Sequence, residues 1–206
     1  MLIKTLAVGQ LETNCYVVSD DKTLMCAVID PGAESGVILD YIESNKLKVG
    51  AIFLTHGHFD HHMALSAVAD ATGAPVYIHK RDTYSGGKPE DHKLRDTGEL
   101  RGYADGDAIT VGGLVFHVME TPGHSMGSVT LRCERALFTG DTLFRDSCGR
   151  TDLGGDMDTL LESLRRLSSL EGDYEVYPGH AETSTLDRER RFNYYVRCAN
   201  GDYPAG

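Results

Sequence analysis

The chain has 206 residues, 41% of them apolar and 25% charged, with a formal net charge of −11 at pH 7. A chain of this size holds one large α/β domain more readily than two small ones, and its apolar content suffices for a sizeable core. The acidic balance has the wrong sign for a nucleic-acid footprint or for attraction to anionic lipid, so the expected partner is a small-molecule substrate, with no nucleic acid and no membrane.

Met1–Val8 carries one lysine and reads as a short strand rather than a secretion leader, and no apolar run reaches the length of a membrane span. The five cysteines, Cys15, Cys26, Cys133, Cys148 and Cys198, are scattered and include no CxxC pair. Free thiols in a reducing, cytoplasmic setting are the expectation. Leu2–Val8, Cys15–Ser19 and Met25–Ile29 read as strands, the last ending in the turn Asp30-Pro31-Gly32. Ser35–Lys46 places Val37, Ile38, Tyr41 and Ile42 at helical spacing. A short buried strand, Ala51–Leu54, precedes a helix over Met63–Ala71 that stops near Gly73 with Pro75 beyond, and Val76–His79 is a further strand.

Thr83–Leu100 is polar, contains Gly86, Gly87 and Pro89, and reads as a long surface loop. Strands follow at Ile109–Val111, Leu114–Met119, Ser128–Cys133 and Ala136–Phe138. Met157–Leu170 is an amphipathic helix with Leu160, Leu161, Leu164 and Leu167 on one face. Tyr174–Tyr177 is a strand and Leu186–Cys198 a charged helix. Each half runs strands, helix, strand, helix. That pattern predicts two sheets packed face to face with helices outside, a four-layer αββα sandwich forming a single domain over 1–206.

The chemistry concentrates after the strand at Ala51–Leu54. Leu54-Thr55-His56-Gly57-His58-Phe59-Asp60-His61-His62 holds four histidines in nine residues at a strand-to-helix junction. His56 and His58 are two apart, so an extended loop turns both imidazoles the same way. Asp60 and His61 then face a second point as the helix begins. Imidazole and carboxylate suit borderline metals such as zinc, iron or manganese. Three later strands each run into a glycine-containing loop with a ligand-type residue: His124 in Thr121-Pro122-Gly123-His124-Ser125, Asp141 in Thr139-Gly140-Asp141-Thr142, and His180 in Tyr177-Pro178-Gly179-His180. Singly these are ordinary turns; together they supply ligands for two metals.

The order THGHFDHH, TPGHS, GDTLF, YPGH resembles the metallo-β-lactamase superfamily with its HxHxDH signature, from Ile29–Gly32 to the final helix. The resemblance implies the αββα sandwich and two divalent metal ions, zinc first, with iron or manganese also acceptable. It implies a first metal site of His56, His58 and His124, a second of Asp60, His61 and His180, and Asp141 as the bridging carboxylate. Asp60 is implied as a ligand that also accepts a proton. Asp30 resembles the carboxylate that orients a ligating histidine, or is only a turn former before Pro31. His62 stands where the family carries an aliphatic residue and is read as packing or capping. His79, His92 and His117 are ordinary strand or surface residues.

Leu143–Asp152, with Gly149-Arg150-Thr151-Asp152, looks like the loop of the compact glyoxalase II-like (hydroxyacylglutathione hydrolase-like) branch. The resemblance implies a hydrolase in which metal-activated hydroxide cleaves a thioester such as S-lactoylglutathione. No counterpart is expected here of the helical C-terminal domain that binds glutathione in longer members of that branch. Arg145 and Arg150 are expected to meet substrate carboxylates; the alternative for Arg150 is a loop-holding pair with Asp152 or Asp156. The run Arg188, Arg190, Arg191 reads as a solvated helix face. Three other readings stay open: a persulfide dioxygenase with a single iron on two His and one Asp, against which Gly154-Gly155-Asp156 and the His180 motif look more like the hydrolases; a β-lactamase, against which stands the expectation of no secretion leader; and a non-catalytic metal-binding module.

Overall fold

The computed structural model describes residues 1–83 and 100–203. The long loop expected over Thr83–Leu100 therefore lies, apart from its two end residues, outside the described residues, as does His92. No described helix is long and apolar enough to cross a membrane.

The first sheet contains β1 (Leu2–Val8), β2 (Thr13–Ser19), β3 (Met25–Ile29), β4 (Lys48–Phe53), β5 (Val76–His79) and β6 (Leu100–Tyr103), in that spatial order. β1, β2 and β3 pair antiparallel; β3 through β6 pair parallel. The helices α1 (Ser35–Ser44) and α2 (Leu65–Thr72) supply the crossovers that parallel neighbours require. The second sheet is built from β7 (Ala108–Val111), β8 (Leu114–Glu120), β9 (Val129–Cys133), β10 (Ala136–Gly140), β13 (Glu175–Pro178) and β14 (Ser184–Thr185). Its order is β14-β13-β10-β9-β8-β7, with β10 and β13 parallel. A two-stranded hairpin, β11 (Leu143–Phe144) and β12 (Ser147–Cys148), stands apart from both sheets.

Period-two alternation sorts the side chains into layers. From β2, β3 and β4, Tyr16, Ala27, Ile29 and Phe53 point between the sheets and meet Phe116, Leu131 and Phe138. The intervening Val17, Val28 and Ile52 point outward onto Ile38, Leu65 and Val68 of α1 and α2. On the second sheet, Leu137 and Val176 point outward onto α3 (Met157–Ser168), where Leu164 and Leu167 cover them. Because both faces of these strands are buried, they read in the sequence as continuous apolar runs. The result is the expected four-layer α/β sandwich.

Three details differ from the sequence reading. Leu100–Tyr103, the tail of the expected loop and the residues after it, is an edge strand. The β11–β12 and β14 pairings are too short to leave a periodic pattern. The expected helix Leu186–Cys198 is two helices, α4 (Leu186–Phe192) and α5 (Tyr194–Ala199), broken where Asn193 leaves helical geometry at φ −73, ψ 119. Its buried side chain accepts from the N–H groups of Tyr195 and Val196, capping α5, and donates to the carbonyls of Phe144 and Ser147 at 3.2 and 2.9 Å. One residue thus stops a helix, starts the next and pins the hairpin.

The sheets are also stitched together at one end. Asn14 and Tyr16 of β2 donate to the Pro178 carbonyl at 3.0 and 2.6 Å, and the Val129 N–H donates to the Thr55 carbonyl at 2.9 Å. Replacing Asn193 with Ala removes the cap and leaves buried carbonyls unpaired, and is expected to destabilise the fold by roughly 2–3 kcal/mol in urea denaturation. A change under about 0.5 kcal/mol would show that the hairpin does not depend on this side chain.

Candidate metal centre

The stitched end is where the ligand-type residues converge. After β4, Leu54 and Thr55 stay buried, and His58 is still extended at φ −70, ψ 144. A 3-10 turn over Phe59–His61 then reverses the chain. This geometry puts His56 and His58 on one side and swings Asp60 and His61 to another. His124, after β8, completes the first group: its Nε2 lies 3.2 Å from His56 Nε2 and 2.7 Å from His58 Nδ1. His180, after β13, completes the second: Asp60 Oδ2 lies 3.2 Å from His180 Nε2 and 3.5 Å from His61 Nε2. Asp141, after β10, stands between them. Its Oδ1 is 3.4 Å from His61 Nε2, and its Oδ2 is 3.5 Å from His124 Nε2 and 3.6 Å from His180 Nε2. Within each three-residue group the donor atoms lie within 4.8 Å of one another. Space here is tight: a Cβ on Gly179 would stand 2.1 Å from Asp141 Oδ1 and 2.7 Å from His61 Cε1.

The outward hydrogen bonds of the imidazoles fix which nitrogen faces inward. His61 Nδ1 donates to Asp30 Oδ2 at 3.0 Å. The Thr55 hydroxyl donates to the same oxygen at 2.7 Å and so accepts from His56 Nδ1 at 3.1 Å. His124 Nδ1 donates to the Arg150 carbonyl at 2.7 Å and His180 Nδ1 to the Leu11 carbonyl at 3.0 Å. In each case Nε2 is the nitrogen left facing the shared space. Asp30 is 1% exposed and sits at φ +51, a conformation costly for a non-glycine residue.

Burial, reinforced by neighbouring histidines, pushes His56 well below its ordinary range and His58 down to about 4. Both are neutral at pH 7, the form a metal needs. Burial also pushes His61 down, but Asp141 and Asp30 outweigh it and raise His61 to about 9. His180 is raised as well, burial being outweighed by the Asp60 hydrogen bond and by Asp141. Asp60 resists its own burial through His180 and His61, which hold its carboxyl well below the usual carboxylate range. At the centre, His61 Nε2 and Asp141 Oδ1 are buried and have no hydrogen-bond partner. Each such atom costs ~1–3 kcal/mol unless something satisfies it. A buried imidazole nitrogen and a buried carboxylate oxygen left unpaired among further imidazoles and carboxylates are met by divalent cations of the zinc, iron or manganese kind once His61 gives up its proton, so the residues fit a metal pair.

All seven residues singled out in the sequence come together, with Asp30 directly behind them. Five of them, His58, Asp60, His124, Asp141 and His180, line one end of a cleft of about 890 Å³ that is also lined by Leu11, Phe59, Phe144, Cys148 and Leu153, while His56 and His61 are fully buried. The two arginines are placed differently from expectation. Arg145 is not among the lining residues, and its guanidinium is bound to Glu182. Arg150 lines the cleft, but Nε and Nη2 clamp the two oxygens of Asp152, each at 2.6 Å. That pairing is the loop-holding alternative, and it pulls Asp152 down to about 2. His62 ends the 3-10 turn and joins neither group. His79 is buried, its Nε2 donating to Glu120, whereas His117 is exposed on β8.

Asp82 is the functional residue that the sequence concealed. It is 4% exposed and accepts from Gly57 N–H at 2.9 Å, Gly127 N–H at 2.7 Å and the Ser125 hydroxyl at 2.5 Å. It thereby ties the loop bearing His56 and His58 to the loop bearing His124. A lone aspartate after a strand reads as a turn former, so only the tertiary contacts expose it.

Comparison with known proteins matches the Metallo-beta-lactamase superfamily to residues 8–180. A probable metallo-hydrolase of Bacillus subtilis, YqgX, is 35% identical, across 90% of this chain and 93% of its own. The hydroxyacylglutathione hydrolase GloC of Haemophilus influenzae is 29% identical, across 95% and 98%. Among solved structures, the chain is similar to the B3 metallo-beta-lactamase BLEG-1 (33% identity, TM-score 0.85, 95% of this chain and 99% of that one). It is similar also to TTHA1623 in a di-iron-bound form (35%, 0.81, 93% and 99%) and to ETHE1 from Myxococcus xanthus (28%, 0.81, 100% and 92%).

Two outcomes are expected. Asp82→Ala leaves two buried N–H groups without acceptors and should weaken metal retention at the three-histidine group by about tenfold in chelator competition; unchanged retention would reduce Asp82 to a loop anchor. In the metal-free protein His61 keeps a proton up to about pH 9, while His58 loses its own near 4. A metal entering the His61 group must displace that proton, whereas His56 and His58 present none at neutral pH. Lowering the pH from 8 to 6 should therefore weaken binding at the His61 group by at least about tenfold, and more steeply than at the group holding His56 and His58, in calorimetric titrations. Equal pH slopes for both groups would contradict this.

Proposed function

We propose that the chain, which belongs to the metallo-beta-lactamase superfamily, hydrolyses an acyl thioester, the class typified by S-lactoylglutathione. The observation that carries this reading is the cleft itself. Five of the seven metal-type donors line its end, the Leu143–Asp152 segment that resembles the glyoxalase II-like loop contributes Phe144, Ser147, Cys148, Arg150 and Asp152 to its wall, and its one thiol is inactive. Burial pushes Cys148 up to about 12, so the thiol stays protonated and makes a poor nucleophile. Water is left as the attacking group. The relative GloC, named a hydroxyacylglutathione hydrolase, supports the thioester choice.

His56, His58 and His124 would hold one ion and Asp60, His61 and His180 the other, with Asp141 shared. Bound divalent ions supply Lewis acidity, acidifying water and offsetting the charge that develops on a carbonyl oxygen. The chain's own groups do the rest. Asp60 is ionised, and the Thr13 hydroxyl holds its Oδ2 from behind at 3.2 Å. It accepts the proton released as the water oxygen bonds to the acyl carbon. The C–S bond breaks, the sulfur keeps the electron pair, and the same proton passes to it, so acid and thiol leave.

A second reading, a persulfide dioxygenase with a single iron, is favoured by the likeness to ETHE1. Against it stands the complete Asp60–His61–His180 group, which a single ion on two histidines and one aspartate does not need.

The test is a paired assay on metal-loaded protein: thiol release from acyl thioesters, and oxygen uptake with a persulfide. A cephalosporin serves as the control suggested by BLEG-1. Thiol release at a rate dependent on metal is expected; oxygen uptake without it would replace the thioester reading with the second. Asp141→Asn, which removes the charge common to both groups, should lower metal content at both and cut kcat/KM by at least about a hundredfold. His180→Ala should empty mainly the second group. Full metal content in either variant would count against these assignments.

A further inference from the structure

The cleft presents four large apolar side chains to solvent from four separate segments. Leu11 comes from the β1–β2 turn and is 54% exposed; Phe59 comes from the 3-10 turn and is 43% exposed; Leu153 follows β12 and is 48% exposed. Phe144 of β11 is half-buried, its ring edge-on to His180 with centroids 6.3 Å apart. Isolated exposed apolar residues are ordinary, but four converging on one cleft mouth from distant parts of the chain form a patch of the kind that marks a binding site. They surround the metal-type donors rather than lie apart from them: the Leu11 carbonyl holds His180, and Phe59 precedes Asp60.

The charges at the mouth are already neutralised. Arg150 is the cation lining the cleft among the described residues, and Asp152, which lines the cleft beside it, occupies the Nε–Nη2 edge of its guanidinium. A substrate carboxylate reaching the other edge would meet a charge that Asp152 already offsets and would sit close to that carboxylate. The like-charge repulsion opposes what the guanidinium attracts. Arg145 is committed to Glu182, and Arg188 to Asp146 at 2.7 Å and Glu189 at 2.8 Å. A strongly acidic chain adds to the repulsion.

We infer that the cleft selects thioesters that are uncharged and carry an apolar arm, which lies on the collar of Leu11, Phe59, Phe144 and Leu153, and that it disfavours thioesters of anionic thiols such as glutathione. The bond broken rests on the thioester reading above; the binding preference does not. Asp152 is then a specificity-determining residue: it silences Arg150 and keeps the mouth neutral.

The experiment uses thioethers, which cannot be hydrolysed, so binding is read separately from turnover. Calorimetry on the metal-loaded protein compares S-hexyl-N-acetylcysteamine, S-methyl-N-acetylcysteamine and S-hexylglutathione. The neutral hexyl compound should bind at least about tenfold tighter than the methyl one and about tenfold tighter than S-hexylglutathione. Leu153→Asp, at an exposed position that the fold does not need, should remove much of the hexyl advantage. Asp152→Asn should free Arg150 and tighten S-hexylglutathione by roughly fivefold, with little effect on the neutral ligand. The inference is overturned if S-hexylglutathione binds as tightly as the neutral hexyl compound, if hexyl binds no better than methyl or neither binds, or if Asp152→Asn leaves the ratio unchanged. Selective binding with no thioester cleaved would keep the inference and sink the hydrolase reading; thioester cleavage with no apolar preference would do the reverse.

Discussion

The site depends on one buried side chain, Asp30. It leaves β3 in a left-handed backbone conformation and aims its carboxyl group back into the protein. There it accepts from the Thr55 N–H and hydroxyl, each at 2.7 Å, and stands 3.0 Å from His61 Nδ1. Through Thr55 it also governs His56. One carboxyl group thus sets the tautomer and angle of a histidine in each donor group. The strain at Asp30 is tolerated because its N–H also bonds the Phe53 carbonyl at 2.9 Å, locking the β3 end to β4.

The rest of the architecture delivers the remaining ligand-type residues to that fixed point. Parallel pairing of β3 with β4 and of β10 with β13 sends the loops bearing Asp30, His56, Asp141 and His180 out of strand ends on the same side of their sheets. The hydrogen bonds across the stitched edge hold the two sheets in register where the donors meet. Two close approaches complete the fit: Gly179 against Asp141 and His61, and Gly149, where a Cβ would stand 1.8 Å from the Asp141 carbonyl oxygen.

Much of this was legible in the sequence. Ligand residues after buried strands announce themselves, because apolar runs and glycine turns flank them, and the αββα layering follows from strands buried on both faces. The concealed parts are of another kind. Asp82 acts only through backbone N–H groups far away in sequence. Asn193 interrupts a helix that composition alone would continue, because its side chain finds better partners in the hairpin. Arg150 was visible as a cation near the site, but whether it is available to a ligand depends on the side chain two residues on. Propensity and spacing record local preference; they do not record which of two nearby carboxylates a guanidinium holds.

Arg150 holds a further consequence. Its carbonyl oxygen anchors His124 while its side chain faces the cleft, so one residue holds a metal-type donor through an atom every amino acid possesses and shapes the cleft through atoms that vary. Substitution there changes only the second. Side chains at 150 and 152 can therefore change, and with them the charge at the mouth of the cleft, without disturbing the hydrogen bond that orients His124. Change at the mouth and constancy behind it act on different atoms of the same position, so a scaffold arranged in this way can vary its opening while its inner donors stay in place.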